Sequence, residues 1–282
     1  MTKILAIQGS NLNKINIKTD TTLLLATDAQ KRGYKIYYFE PENLTFLNGK
    51  VIALCKHIKI LDSKNKFYAL IKSINFNLEK SKVILIRNDP PFDNRYLYTT
   101  FLLNHISKKV KIVNHPAAVR NVSEKLFSIN FMKYMPPTLI SENLNEIKSF
   151  FKKHKSVVAK PINGFGGNNV ILFKSFKANK IIKLLKTHNH LFFQKFLSGV
   201  SKGDKRVFVI RGKIVGAISR VPRKGSILSN MSKGAHAKLT KLTKKEIKVS
   251  RIIGKLLVKN KIHFAGIDFV QEKLIGDINV TS

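Results

Sequence analysis

Cysteine is nearly missing from the 282 residues. Cys55 stands alone, so no intrachain disulfide can form, which fits a reducing, cytoplasmic setting. No apolar run approaches the ~18–20 residues of a membrane span. The opening stretch through Ile7 is too short for the apolar core of a signal peptide and reads as a first strand. There is no internal repeat, no Cys/His finger, no RNP-like motif and no basic region feeding heptads. Acidic residues are scarce: 16 Asp and Glu against 52 Lys and Arg, a formal charge of +36. Such an excess raises nucleic acid or a membrane surface as partners. The basic residues are spread along the whole chain, however, and Lys, Asn and Ile are abundant everywhere, as in coding sequence biased toward A and T. The charge therefore reads as compositional, and neither nucleic acid nor membrane is expected as a partner.

The elements that are present alternate. Residues 3–8 read as a buried strand. A helix capped by Thr21 or Thr22 runs through Leu23–Lys31 and ends at Gly33, and Tyr34–Phe39 is a second strand. This βαβ opening implies a parallel sheet. Asn48-Gly49 signals a hairpin between Leu44–Leu47 and Lys50–Leu54. Val83–Arg87 and Val110–Asn114 are further strands, with Asp89-Pro90-Pro91-Phe92-Asp93 at a carboxyl end where α/β sheets bind ligands. From about residue 121 the style changes: helix Ser123–Phe131, a break at Pro136-Pro137, helix Leu144–Lys153, strand Val157–Pro161, a Gly-rich loop, strand Val170–Phe173, helix Ala178–Lys186 and strand Leu191–Phe196. Residues 205–221 form a hairpin turning at Arg211-Gly212. Residues 222–241, rich in Lys, Ser and Gly and without period, are expected to be a mobile loop that orders over substrate. Thr243 and Glu246 make a capping box for helix 244–260. Strands His263–Val270 and Leu274–Val280 close the chain.

Four constellations carry chemistry. Lys160 leads into a loop with Gly164, Gly166 and Gly167; glycine lets backbone N–H groups approach phosphate oxygens and the lysine supplies charge. A Gly-rich turn between strands is also an ordinary hairpin. Lys125 near a helix start is a second phosphate candidate or a solvated lysine. Asp268, Asp277 and Asn279 alternate on two strands so that all three reach one face, an oxygen set suited to Mg²⁺; the alternative is a polar hairpin, against which the apolar flanks argue. Arg206 and Arg220, on neighbouring strands after Asp204-Lys205, could hold an acyl phosphate or form a cross-strand charge ladder.

In this order, these residues resemble the ATP-grasp superfamily. Local strings narrow the resemblance: residues 16–21 (NIKTDT), 87–93 (RNDPPFD), 121–127 (NVSEKLF), Lys160-Pro161 with its glycines, 203–207 (GDKRV) and 278–282 (INVTS) are similar to bacterial glutathione synthetases along the whole chain. The resemblance implies an α/β protein with a Rossmann-like domain over 1–120, an ATP-grasp lid over 121–200 and a catalytic sheet over 201–282. It implies a cytoplasmic, homo-oligomeric ligase that joins γ-glutamylcysteine and glycine through an acyl phosphate, with ATP as co-substrate and Mg²⁺, or Mn²⁺ in its place. Lys125, Lys160 and the Gly164–Gly167 loop would meet the phosphates, and Gln194, Phe196 and Leu197 the adenine. Arg206 and Arg220 would meet the transferring phosphoryl group, Asp20 and Arg87 the dipeptide, and Asp268, Asp277 and Asn279 the metal. Departures are Asp277 where the family has Glu, Lys195 beside the adenine position, Leu228, Ala235 and His236 in the mobile loop, and an end at Ser282 where the family continues, so a truncated C-terminus is expected. The rivals are another ATP-grasp carboxylate–amine ligase, or an inactive paralogue serving as a basic binding protein.

Overall fold

A computed structural model describes residues 3–17, 20–63, 66–223, 229–230 and 234–281. The chain divides into two units, Met1–Asn121 with Thr281–Ser282, and Val122–Val280.

The first unit is built on β1 (Ile4–Gly9), α1 (Thr21–Lys31), β2 (Lys35–Phe39), β3 (Leu44–Leu47), β4 (Lys50–Ile60), β5 (Tyr68–Asn77), β6 (Val83–Arg87), α2 (Asn94–His105), β7 (Lys111–Val113) and α3 (Pro116–Asn121). Its sheet runs β3-β4-β2-β1-β6-β7, with β5 on β4. β1 pairs in parallel with β2 and β6, and β6 with β7, as the βαβ opening predicts. Asp20, not Thr21 or Thr22, caps α1: its Oδ1 accepts from the Leu23 N–H at 2.9 Å. Gly33 follows at φ +82. Asn48 and Gly49 both have positive φ, the turn that joins β3 to β4. The sheet is larger than the sequence suggests. β4 continues to Ile60 and pairs with β5, whose exposed middle carries little period-2 signal. Leu5, Ile7, Ile36, Tyr38 and Ile58 form the core against Ala26 of α1.

The second unit holds two antiparallel sheets. One has the order β10-β9-β11-β8, from β8 (Thr138–Ser141), β9 (Val157–Pro161), β10 (Ile171–Phe173) and β11 (Leu191–Lys195). Helices α4 (Leu144–His154) and α5 (Ala178–His188) pack Ile147, Phe151 and Ile181 onto Val157, Phe173 and Phe193. The apolar stripe of α4 is therefore core. The other sheet is β14-β13-β12-β15-β16, from β12 (Asp204–Ile210), β13 (Lys213–Val221), β14 (His236–Leu239), β15 (Phe264–Val270) and β16 (Lys273–Asn279). The capping box forms at the start of α6 (Lys244–Lys259).

Two expectations are corrected here. Residues 123–131 are not an α-helix: 3₁₀ turns span Leu126–Tyr134, broken at Phe131. The Glu124 carbonyl, which an α-helix would offer to Ser128, accepts instead from the Ile278 N–H at 3.2 Å, and the Ser128 N–H falls back on Lys125 O at 3.2 Å. Within 222–241, expected to lack structure, His236–Leu239 pairs with β13. Leu228 and residues 224–227 and 231–233 of that loop lie outside the described residues, and so does the lid motion expected of them.

Candidate active site

The second unit gathers four cations and three carboxylates, and strand register brings most of them together. Lys160 sits near the end of β9, directly opposite Phe192 of β11. Its Nζ lies 5.8 Å from the Phe192 ring centroid, donates to Ile275 O at 2.8 Å and stands 3.5 Å from Asp277 Oδ2. Lys125, at the start of the 3₁₀ segment, points its Nζ to Gly164 O at 2.6 Å and stands 3.5 Å from Asp277 Oδ1. Both lysine side chains are almost fully buried, at 5% and 9% exposure. Asp277 thus bridges two lysines from distant parts of the chain, and Lys125 reaches the glycine loop. In that loop Gly166 and Gly167 adopt φ +60 and +75, a left-handed path that turns the backbone sharply between β9 and β10.

The second cluster is a ladder across β13, β12 and β15. Asp204 lies opposite Arg220, and Arg206 opposite Asp268. Arg220 grips Asp204 with Nε and Nη2, both at 2.7 Å, and its Nη2 also reaches Asp268 Oδ2 at 2.9 Å. Arg206 grips Asp268 with Nε and Nη2 at 2.8 Å each. Asn279 donates Nδ2 to Asp268 Oδ2 at 3.2 Å and to Gly266 O at 3.3 Å. That orients the amide with its nitrogen inward and leaves Oδ1 as its ligand-capable atom. The charge ladder therefore contains the candidate phosphate and metal residues Arg206, Arg220, Asp268 and Asn279. The pairing of β15 with β16 slips between Ile267 and Phe269, an irregularity that falls beside Asp277.

Burial opposes ionisation of the carboxyls and arginines here, and at all of them but Asp204 the partners outweigh it. Burial pushes the Asp268 carboxyl up, but Arg206 and Arg220 outweigh it and hold it below its ordinary value. Asp277 behaves likewise under Lys160 and Lys125. Burial, with the Asp268 charge adding to it, lifts Asp204 to about 6 against the hydrogen bonds of Arg220. Arg206 and Arg220 are raised, because the carboxylates outweigh their burial.

The remaining candidates are placed as follows. Gln194 is buried and its Nε2 donates to Thr138 Oγ1 at 3.0 Å, so its side chain serves the sheet; Phe196 and Leu197 follow it, half-buried. Asp20 and Arg87 belong to the first unit, Asp20 at the N-cap of α1 and Arg87 as the last residue of β6. Arg87 donates Nε to Thr22 Oγ1 at 3.2 Å and Nη2 to Thr21 Oγ1 at 2.7 Å. Burial lowers its pKa while Asp20 and other nearby groups pull it back up. Beside it Ser10 donates to Asp89 Oδ2 at 3.0 Å. Sequence reasoning gave Thr21 and Thr22 only a capping role and named Asp204 only as part of the run leading to Arg206; the pairing of Asp204 with Arg220 needs the register.

The donor set fits a hard divalent cation in kind: carboxylate oxygens of Asp268 and Asp277 and the Asn279 carboxamide. Among the described residues no three His, Cys, Asp or Glu side chains gather as a metal group, and this set is two carboxylates and an amide. Four cations against three carboxylates leave one excess positive charge in a largely buried site. That balance suits an anion carrying its own metal.

Two family models match the chain: the N-terminal domain of prokaryotic glutathione synthetase over residues 4–120, and its ATP-grasp domain over 124–282. Among curated relatives, the glutathione synthetase of Rhodopseudomonas palustris is 36% identical over 286 residues, covering 100% of this chain and 91% of that protein. That of Agrobacterium fabrum is 37% identical over 99% of this chain and 89% of its own. That of Escherichia coli is 33% identical over 99% and 90%. Solved structures share the fold at low identity. A D-cycloserine synthetase has a TM-score of 0.68 at 12% identity, covering 99% of this chain and 92% of its own. D-alanyl-alanine synthetase A of Vibrio cholerae has 0.62 at 13%, over 99% and 89%. With both domain models matched in order along nearly its whole length, the chain belongs to the prokaryotic glutathione synthetase family of ATP-grasp ligases.

Proposed function

We propose that this chain forms glutathione from γ-glutamylcysteine and glycine at the expense of ATP, in the cytoplasm. The observation that carries the reading is the convergence of Lys125, Lys160, Arg206 and Arg220 around Asp268 and Asp277, a largely buried site with surplus positive charge. In the first step the cysteinyl carboxylate takes the γ-phosphoryl group of ATP, releasing ADP. In the second the glycine amine attacks that acyl phosphate, phosphate departs and the peptide bond forms. No protein nucleophile is required. Lys125 and Lys160 neutralise the nucleotide phosphates, with Gly164 to Gly167 folding over them, and Arg206 and Arg220 stabilise the charge that spreads over the transferring group. Gln194, Phe196 and Leu197 line the adenine pocket, and Asp20 and Arg87 receive the dipeptide. Asp268, Asp277 and Asn279 would hold Mg²⁺, which when bound supplies additional charge neutralisation to the phosphates.

The test is ADP release measured with γ-glutamylcysteine, glycine and Mg²⁺, each omitted in turn. ADP should form only with the dipeptide present, and glutathione only when glycine is added. Equal ADP release with unrelated dipeptides would refute the substrate assignment and favour a ligase joining other amino acids.

A further inference from the structure

The two arginines of the site are not held alike. Arg206 has one carboxylate partner, Asp268, and its side chain is 25% exposed. Arg220 has two, Asp204 and Asp268, and is 4% exposed. Any ligand that takes the oxygens of Asp268 strips Arg206 of both its charged hydrogen bonds. Arg220 loses only one of three, because the bidentate grip on Asp204 remains. The backbone is shaped for that grip. Gly203, at φ +101, approaches Arg220 so closely that a Cβ there would lie 2.6 Å from the Arg220 carbonyl oxygen. That approach places Asp204 squarely across from Arg220 on β13. Asp204 itself touches neither lysine and is not among the proposed metal donors.

We propose that Asp204 is a positioning residue that anchors Arg220 independently of Asp268, so that Arg220 stays aimed at the transferring phosphoryl group while Arg206 is released to move. The inference rests on the ligase reading above. It predicts a division of labour: loss of Asp204 degrades the chemical step and leaves nucleotide affinity nearly intact, because the lysines that meet the phosphates are untouched. A buried Arg–carboxylate pair with two parallel hydrogen bonds has the geometry such an anchor needs.

The experiment is a cycle of Asp204→Asn, Arg220→Ala and the double variant, with kcat, KM for ATP and guanidinium rescue as readouts. Asp204→Asn should lower kcat about tenfold or more with KM for ATP within about threefold, a split that marks an interaction made in the transition state. Free guanidinium, below denaturing concentration, should restore turnover to Arg220→Ala by about tenfold, since Asp204 would hold it in the vacated space. The double variant should show no rescue. In metal-free protein each single variant should unfold at lower temperature than the parent, and the double variant should lose less than the sum, because neither charge is left unpaired. Parental kcat in Asp204→Asn beside an inactive Arg220→Ala overturns the anchoring role and leaves the ligase reading standing. Parental kcat in Arg220→Ala overturns the role of Arg220 and with it that part of the ligase reading. If Asp204→Asn does not fold, the double variant, neutral on both sides, still decides: guanidinium rescue in it refutes the proposal, and its absence beside rescue of Arg220→Ala supports it.

Discussion

Removing the Asp277 carboxylate should cost stability as well as turnover, and the amount follows from its two neighbours. Lys125 Nζ and Lys160 Nζ each stand 3.5 Å from one of its oxygens, and both lysine side chains are nine-tenths buried. At an effective dielectric of ~20 the gross attraction is roughly 5 kcal/mol per pair, but desolvation consumes most of it. The relevant quantity is the cost of stranding two buried ammonium groups, and losing one partner of a buried pair costs roughly 3–5 kcal/mol. Two features pull the estimate down. The Asp277 side chain is 21% exposed, and the lysines keep hydrogen bonds to Gly164 O and Ile275 O. Asp277→Ala should therefore lose about 3 kcal/mol, or about 6–12 °C in Tm for a unit of this size. Saturating ATP should narrow the gap, since its phosphates repartner the lysines. Asp277→Glu, with a reach ~1.5 Å longer, should retain or improve both stability and turnover. Thermal unfolding of the three proteins, with and without nucleotide, checks this. A Tm for Asp277→Ala within about 2 °C of the parent would refute the bridging role.

Three further outcomes are expected. Lys160→Ala should lose at least about tenfold in kcat/KM, because one phosphate-directed charge is worth over roughly 1.4 kcal/mol in a desolvated site; steady-state ADP release reads it. Gly276→Ala should destabilise by about 2–5 kcal/mol, combining left-handed strain with overpacking: Gly276 has φ +85, and a Cβ there would lie 2.7 Å from Phe192 Cζ, beneath Lys160; denaturant unfolding measures it. On acidification the carboxylates act with opposite signs. Asp268 and Asp277, held below the ordinary 3.8, contribute stability that is lost as pH falls below about 4. Asp204, lifted to about 6, binds its proton first in the folded state, so falling pH from 6 toward 4 favours folding at that group. Stability should thus hold between pH 6 and 4 and drop below 4, and Asp268→Asn should blunt that drop.

What could be read from the chain alone follows the range of the interactions involved. The β9–glycine-loop unit, the capping box at Thr243 and the Arg211-Gly212 turn are written within a few neighbouring residues, and each forms where it was expected. The segment after Val122 is not local. Its first turn is drawn into 3₁₀ geometry by Ile278, more than 150 residues away, and no propensity argument at 123–131 contains that contact. Helix α2 was missed for a related reason: Asn94–His105 mixes aromatic and β-branched residues whose placement is decided by packing, though Asp93 caps it at the Tyr96 N–H. At the site, the sequence supplied the list of charged residues and left open whether Arg206 and Arg220 form a ladder or meet phosphate. Register shows that the ladder also contains the proposed metal donor Asp268, so the ladder does not exclude the proposed phosphate role of the same guanidinium groups.

That overlap bears on why seven charged side chains occupy a largely buried place. Exchanging a buried ion pair for well-packed apolar residues is often neutral or stabilising, so stability does not account for the arrangement. Each central carboxylate bridges two cations: Asp277 between Lys125 and Lys160, and Asp268 between Arg206 and Arg220. A bridge of this kind keeps like charges close together at low cost until a stronger anion arrives. On the proposed reading the cations are already converged when phosphate oxygens enter, and little reorganisation is needed at the moment of transfer, which is where electrostatic catalysis gains most. The same logic separates the site from the rest of the +36 charge. A diffuse surface excess raises the local concentration of an anion and is screened by salt within about 10 Å. On the proposed reading it is the four converged cations of the site that act on the group in transfer. High ionic strength should therefore raise KM for ATP while leaving kcat nearly unchanged, and an equal fall in kcat would place catalytic charge on the surface.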